Sequence, residues 1–240
     1  MGVTTVDSTR LRPAQLALLA GAVGFAYYVG VQIGIGLTFP PATTTSVLWP
    51  PNSILTAVLL LVPVRYWWVC LAGALPVHVV LELAAGFEPY VAGFLFVTNC
   101  MEAMLAASGM RLLSDSPTEF NSLRRVTVFL GVAVIAAPIV SSFADAAVVN
   151  VIQGLPYWDV WRVRTFANAL TELSVVPVVV LGVRAVRRGD IAWPGRRRFI
   201  EALLLVVGLI GAPIAVFGGD LSFPGVPPAP SGLFLPFYCW

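Results

Sequence analysis

Long apolar runs, separated by short turns that carry arginine, dominate the chain. Apolar side chains fill residues 14–37, 53–64, 67–85, 90–113, 126–149, 163–183 and 199–217, and an eighth run begins at Gly232 and reaches Trp240. A helix needs about twenty residues, at about 1.5 Å each, to cross a hydrocarbon core of about 30 Å. The second run is short unless it starts near Val47, which would put Pro50 and Pro51 in its first turn, where proline is tolerated. The last run is nine residues long, too few to cross. The pattern predicts an all-α, polytopic transmembrane helix bundle of seven to eight spans. It forms a single integral membrane domain over 1–240, cut off within its last span and carrying no soluble domain.

Charge placement orients this bundle. All fourteen basic residues are arginine. With a cytoplasmic N-terminus, the inner turns hold Arg10, Arg12, Arg65, Arg111, Arg124, Arg125, Arg184, Arg187, Arg188, Arg196, Arg197 and Arg198, and the outer turns hold Arg162 and Arg164. That asymmetry is the positive-inside pattern. Trp49, Trp158 and Trp161 fall at the outer boundary, and Tyr66, Trp67, Trp68 and Trp193 at the inner one, as an interfacial aromatic belt requires. The first run is too long for a signal-peptide core of about 7–15 residues and no small-x-small site follows it, so it reads as an uncleaved helix.

Composition excludes the main alternatives. Only 11% of residues are charged and 58% are hydrophobic, with a mean hydropathy of +0.89. Soluble domains carry about 25% charged residues, so this chain cannot cover a water-facing surface. The arginines sit in turns and form no nucleic-acid stripe. Those of 184–188 and 196–198 suit topogenesis and anionic lipid headgroups, with docking of a cytoplasmic partner as the alternative.

Several polar residues interrupt the apolar runs. Glu82, Glu102, Asp145 and Glu172 are joined there by His78, Asn99 and Asn168. A carboxylate in the hydrocarbon centre costs at least about 2.5–3.5 kcal/mol, which makes each a candidate functional group. His78 and Glu82 are four apart, Asn99 and Glu102 three apart, and Asn168 and Glu172 four apart, so each pair shares a helix face. Counted at 1.5 Å per residue, all lie from the midplane outward, and a polar cavity open to the outside would satisfy them. The competing reading is that they are glue between helices, or merely solvated near the interface.

No catalytic constellation is present. There is no nucleophile elbow, no zinc-protease His-Glu-x-x-His and no phosphate-cradling glycine loop. One histidine leaves no cluster for metal or haem, so no metal and no cofactor is expected. Cys70, Cys100 and Cys239 have no ligand spacing, and the first two read as small hydrophobes. Gly30, Gly34 and Gly36 mark close helix packing.

Three stretches together resemble the first class of membrane-associated sensor domain, the MASE type, over most of the chain. Leu48-Trp49-Pro50-Pro51-Asn52-Ser53-Ile54 enters an apolar run that ends at Arg65-Tyr66-Trp67. The family pattern there is Trp-Pro-Pro-Asn-Gly and an inner arginine-aromatic turn, and Ser53 replaces the glycine. Thr98-Asn99-Cys100-Met101-Glu102-Ala103 is similar to the family's Asn-x-x-Glu-Ala helix. Trp158 and Trp161 precede Asn168-Ala169-Leu170-Thr171-Glu172-Leu173, where the family more often has Gly-Asp before Ala-Leu-Gly.

The resemblance implies a signal-input module in the inner membrane of a bacterium, at the head of a histidine kinase or a cyclic-di-GMP enzyme. A small molecule or a membrane protein would act on the bundle, and the last helix would pass the change to a cytoplasmic output domain, through which the protein would dimerise. This chain contains no such output domain. A transporter or substrate-binding membrane subunit is the rival expectation, because midplane polar groups are equally expected there. A plain structural anchor is the third.

Overall fold

The computed structural model describes residues 10–36 and 48–189, with 197, 200, 201 and 204. The chain divides into two compact units after Gly182, and the contacts below belong to the first. Its elements are α1 (Pro13–Gly36), α2 (Pro50–Leu61), a 3-10 turn (Val64–Tyr66), α3 (Trp67–Ala84), α4 (Pro89–Leu113), α5 (Leu123–Phe129), a π-helical segment (Leu130–Ala136), α6 (Ala137–Gln153) and α7 (Tyr157–Arg188). The described residues form helices and no strands. Five rods are long and apolar enough to cross a membrane: Pro13–Ile35, Val64–Ala84, Pro89–Leu113, Leu123–Gln153 and Tyr157–Arg188. The apolar runs at 199–217 and from 232 lie outside the described residues.

The exterior of the bundle is oily and part of its interior is polar. Leu18, Phe25, Phe94 and Val178 are all more than half exposed, whereas Asn52, His78, Glu102, Asp145 and Glu172 are buried. This reverses the arrangement of a water-soluble protein and suits a hydrocarbon solvent. Small residues let the backbones approach, as they must where helices associate without a hydrophobic drive. A Cβ on Gly73 of α3 would stand 2.3 Å from Ala20 O of α1, and one on Gly24 would stand 2.7 Å from Gly73 O. Gly30 and Gly34 serve α2 in the same way. Their Cβ positions lie 2.6 Å from Ile54 Cδ1 and 3.0 Å from Trp49 Cε3, so the close packing expected there is present. Cys70 and Cys100 are free and buried.

α2 is the exception among the rods. It has 12 residues, about 18 Å, and does not cross by itself. Trp49 is its N-cap, and Pro50 and Pro51 occupy its first turn, where their missing N–H groups cost nothing. It stops at Val62, which turns extended because Pro63 disfavours the helical conformation in the residue before it. Both ends are tied to other helices. The Trp49 amide donates to Thr171 Oγ1 of α7 at 2.9 Å. At the other end Arg111 Nη2 of α4 lies 2.9, 3.1 and 2.8 Å from Leu59 O, Leu60 O and Val62 O. Trp67 Nε1 donates to Leu59 O at 2.9 Å, and the Arg111 guanidinium sits 5.5 Å from the Trp67 ring centroid. Trp49 and Trp67 therefore pack against the core. Trp68 and Trp158 remain largely exposed; Trp193 lies outside the described residues.

The last two rods are joined by Gly154, whose φ of 68° is open to glycine and whose N–H returns to Asn150 O at 2.9 Å. Upstream, the π-helical segment precedes Pro138. In an α ladder that proline would lack a donor and press on the carbonyl four residues back. The ladder widens here, and the Ala137 N–H reaches Val132 O, five residues back. Val132 also faces Gly109 of α4, where a Cβ would lie 2.4 Å from its Cγ1.

The turn between α4 and α5 is closed by one arginine. Arg125 grips Asp115 through Nε and Nη2, at 3.1 and 3.0 Å, and Glu119 through Nη1 at 2.7 Å. The guanidinium holds the Asp115 carboxyl down from its usual 3.8 to about 2.

Two outcomes follow for stability. Arg111→Met strips the donor from three carbonyls at the end of α2. It should destabilise the chain by about 1–3 kcal/mol, read as a lowered unfolding midpoint in detergent, while Arg124→Met at an exposed position changes it little. At the turn, a carboxyl whose value is depressed on folding contributes its stabilisation above the ordinary value and loses it as pH falls through the folded one. Order in the 114–122 turn should persist at pH 5 and fade between about pH 4 and 2. An NMR titration of Asp115 in wild type with a midpoint near about 4 would refute this.

Candidate functional site

The seven polar residues singled out from the sequence settle into three adjoining clusters. The first joins α2, α4, α6 and α7. Glu102 is 1% exposed and Glu172 is 0% exposed. Ser141 Oγ donates to Glu102 Oε2 at 2.5 Å, and Asn168 Nδ2 donates to the same oxygen at 2.6 Å. Thr56 Oγ1 donates to Glu172 Oε1 at 2.8 Å. The two carboxylates are near enough to repel one another. Asn52 lies beside Glu102 and Ser53 beside Glu172, so the Trp-Pro-Pro-Asn-Ser entry of α2 abuts both acids. On α7 the helical repeat places Asn168, Glu172, Val176 and Val180 four residues apart on one buried face.

The second cluster joins α1, α3 and α4 around Tyr27, which is 0% exposed. Its hydroxyl lies 2.9 Å from His78 Nδ1 and accepts from Asn99 Nδ2 at 3.2 Å. His78 Nε2 lies 3.1 Å from Ala92 O. A carbonyl only accepts, so the ring proton is on Nε2, Nδ1 accepts from the tyrosine, and the tyrosine oxygen accepts from the asparagine. Glu82 Oε1 is 4.0 Å from His78 Nε2, beyond hydrogen-bond reach. Helical spacing does bring His78 and Glu82 to one face, but the histidine bonds elsewhere.

The third cluster pairs Asp145 of α6 with Arg164 of α7, Oδ2 to Nε at 3.2 Å. Thr98 Oγ1 of α4 lies 3.2 Å from Asp145 Oδ1. Because Ser141 and Asp145 face Glu102 and Thr98, α4 and α6 are zipped antiparallel by two contacts one turn apart. Asp145 stands within electrostatic range of Glu102, His78 and Glu82, so the clusters form one belt.

The geometry differs from a hollow open to the outside. Glu102 and Glu172 are enclosed, because hydroxyls and an amide from α2, α6 and α7 close over them. A groove lined by Phe87, Val91, Leu95, Val148, Ile152 and Arg164 does not include them. Tyr27, Thr56, Ser141, Thr171 and Arg164 share in the belt and were not singled out beforehand. Hydroxyls are too weakly polar to stand out in an apolar run, and in the sequence Arg164 has the position of a turn charge. No group of three or more His, Cys, Asp or Glu side chains able to hold a metal occurs among the described residues.

Apolar rods around a buried belt of carboxylates, amides and one histidine define a helical membrane domain. Residues 19–223 match the MASE1 family model, and the chain belongs to that family of membrane-associated sensor domains. No curated protein and no solved structure matches it.

Tyr27→Phe removes the hydroxyl that serves His78 and Asn99 and leaves both without it. The expected cost is about 1–3 kcal/mol, measured by thermal unfolding in detergent. Tyr28→Phe, on the exposed side of α1, should leave the midpoint unchanged, and equal effects would contradict the network.

Proposed function

We propose that the chain is the signal-input module of a bacterial signal-transduction protein in the inner membrane. The belt around Glu102, Asn168 and Glu172 is its sensing core. The observation that carries this reading is the suspension of α2: its start is bonded to α7 by Thr171 and Glu172, and its end to α4 by Arg111. A change at the carboxylates bears on α2, α4, α6 and α7 together. α7 is a single helix of 32 residues, about 48 Å long, and its last turn carries Arg187 and Arg188. Membership of a sensor-domain family supports the direction of signalling.

A bundle of seven to eight spans with a cytoplasmic N-terminus accommodates these features. The Leu11 amide donates to Tyr66 OH at 2.8 Å, and Arg111 reaches the end of α2, so the start of α1, the end of α2, the start of α3 and the end of α4 share one face of the membrane. Arg65, Arg111, Arg124 and Arg125 belong to that face, which positive-inside placement makes cytoplasmic. The output domain follows on the same side and sets the homodimer. The external partner is a small ligand or a neighbouring membrane protein, and it acts by binding one arrangement of the helices better than the other.

Glu102→Gln and Glu172→Gln keep shape and insertion but alter the charge of the core. In the full-length receptor each should change output about fivefold or more, with unchanged amounts in the membrane fraction. Wild-type output from both would remove the belt from signalling. Solute flux into proteoliposomes holding the purified chain would favour a transporter instead.

A further inference from the structure

Buried oxygens with spare acceptor capacity gather in the first cluster. Glu102 Oε1, Glu172 Oε2, Asn52 Oδ1, Asn168 Oδ1 and Ser53 Oγ are buried and have no hydrogen-bond partner among the described residues. The exposures of these five residues are 1%, 0%, 2%, 5% and 0%. All five atoms are oxygens, two of them from carboxylates. The side chains that meet the acids, Ser141, Asn168 and Thr56 with Asn52 and Ser53 beside them, are all neutral. Asn168 is held with its nitrogen on Glu102, which fixes the plane of its amide and leaves the oxygen buried without a partner. Buried acceptors normally find a donor, and paired buried carboxylates need a positive partner to remain ionised.

We propose that Glu102, Glu172, Asn52, Asn168 and Ser53 form a site for a dehydrated hard metal cation of the sodium or calcium type, between α2, α4 and α7. The donor set decides the class. Carboxylate, amide carbonyl and hydroxyl oxygens suit alkali and alkaline-earth ions, whereas zinc and copper sites draw on imidazole and thiolate. Calcium balances two ionised carboxylates; sodium balances one, with the other carrying a proton. The bound ion supplies the charge that the neutral partners lack, and it draws three helices onto one point. A helix arrangement that separates these oxygens cannot hold it, so occupancy and conformation are linked. This inference rests on the reading of the same belt as the sensing core and names what occupies it.

The test uses the full chain, purified in detergent and stripped of metal with a chelator. Thermal unfolding is followed in sodium, calcium and choline chlorides of matched ionic strength. Saturating sodium or calcium should raise the midpoint by about 5–10 °C over choline. Glu172→Gln and Asn168→Leu should abolish that rise, and Asp115→Asn, which removes a carboxylate from the α4–α5 turn, should keep it. Equal midpoints in all three salts, or a rise that survives both core variants, overturns the proposal. If the core variants do not fold, equilibrium binding of radioactive sodium or calcium to the wild-type chain decides: one ion per chain supports the site, and none overturns it. The signalling assay is separate. Altered output from Glu102→Gln without any metal effect would overturn the cation site and leave the sensing core standing. A bound ion with unaltered output would support the site and remove its sensing role.

Discussion

A carbonyl at the end of a short helix packed among longer ones needs a donor from its neighbours, and this requirement shapes most of the bundle. α2 stops after 12 residues, and the donors for its last carbonyls come from Arg111 and Trp67. Its first free amide is met by Thr171. Each of these side chains belongs to a different long rod, so satisfying one short helix fixes α3, α4 and α7 around it. The glycines of α1 complete the arrangement from outside by letting Trp49 and Ile54 approach its backbone.

The same logic extends to the polar belt. Its members come from every long rod of the first unit, and most bonds run between helices and not within one. Such bonds are individually modest in a membrane, on the order of 1 kcal/mol. Their effect here is mainly one of register: Ser141 on Glu102 and Asp145 near Thr98 set α6 against α4 to within one turn, while Tyr27 ties α1 to both α3 and α4. The apolar faces between them, rich in alanine, would tolerate sliding without these anchors.

Much of this was legible in the chain alone. Five of the long apolar runs are rods, and the spacing of Asn168 and Glu172 does place them on one buried face. The Trp-Pro-Pro-Asn stretch and the Asn-x-x-Glu helix carried the family resemblance, and the family match agrees with it. Periodicity could not show how the rods cross. Helical spacing pairs Asn99 with Glu102, yet the structure sends Asn99 to Tyr27 and Glu102 to Ser141 and Asn168, because the nearest partner in space is on another helix. A guanidinium near a helix end, such as that of Arg111, gives no sign in the sequence of reaching a neighbour's carbonyls. The sequence does not show that Trp49 meets the gap left by Gly34 on α1 or that Trp67 caps the end of α2.

The widened ladder before Pro138 has a mechanical implication. Residues along an α-helix step round the axis by about 100°, so restoring an ordinary ladder between Leu130 and Ala136 would swing the far half of the rod relative to the near half. Ser141 would leave its oxygen on Glu102 as Val132 left its seat on Gly109. The widened ladder therefore sets the angular register in which one rod seats Val132 on Gly109 and Ser141 on Glu102 at once.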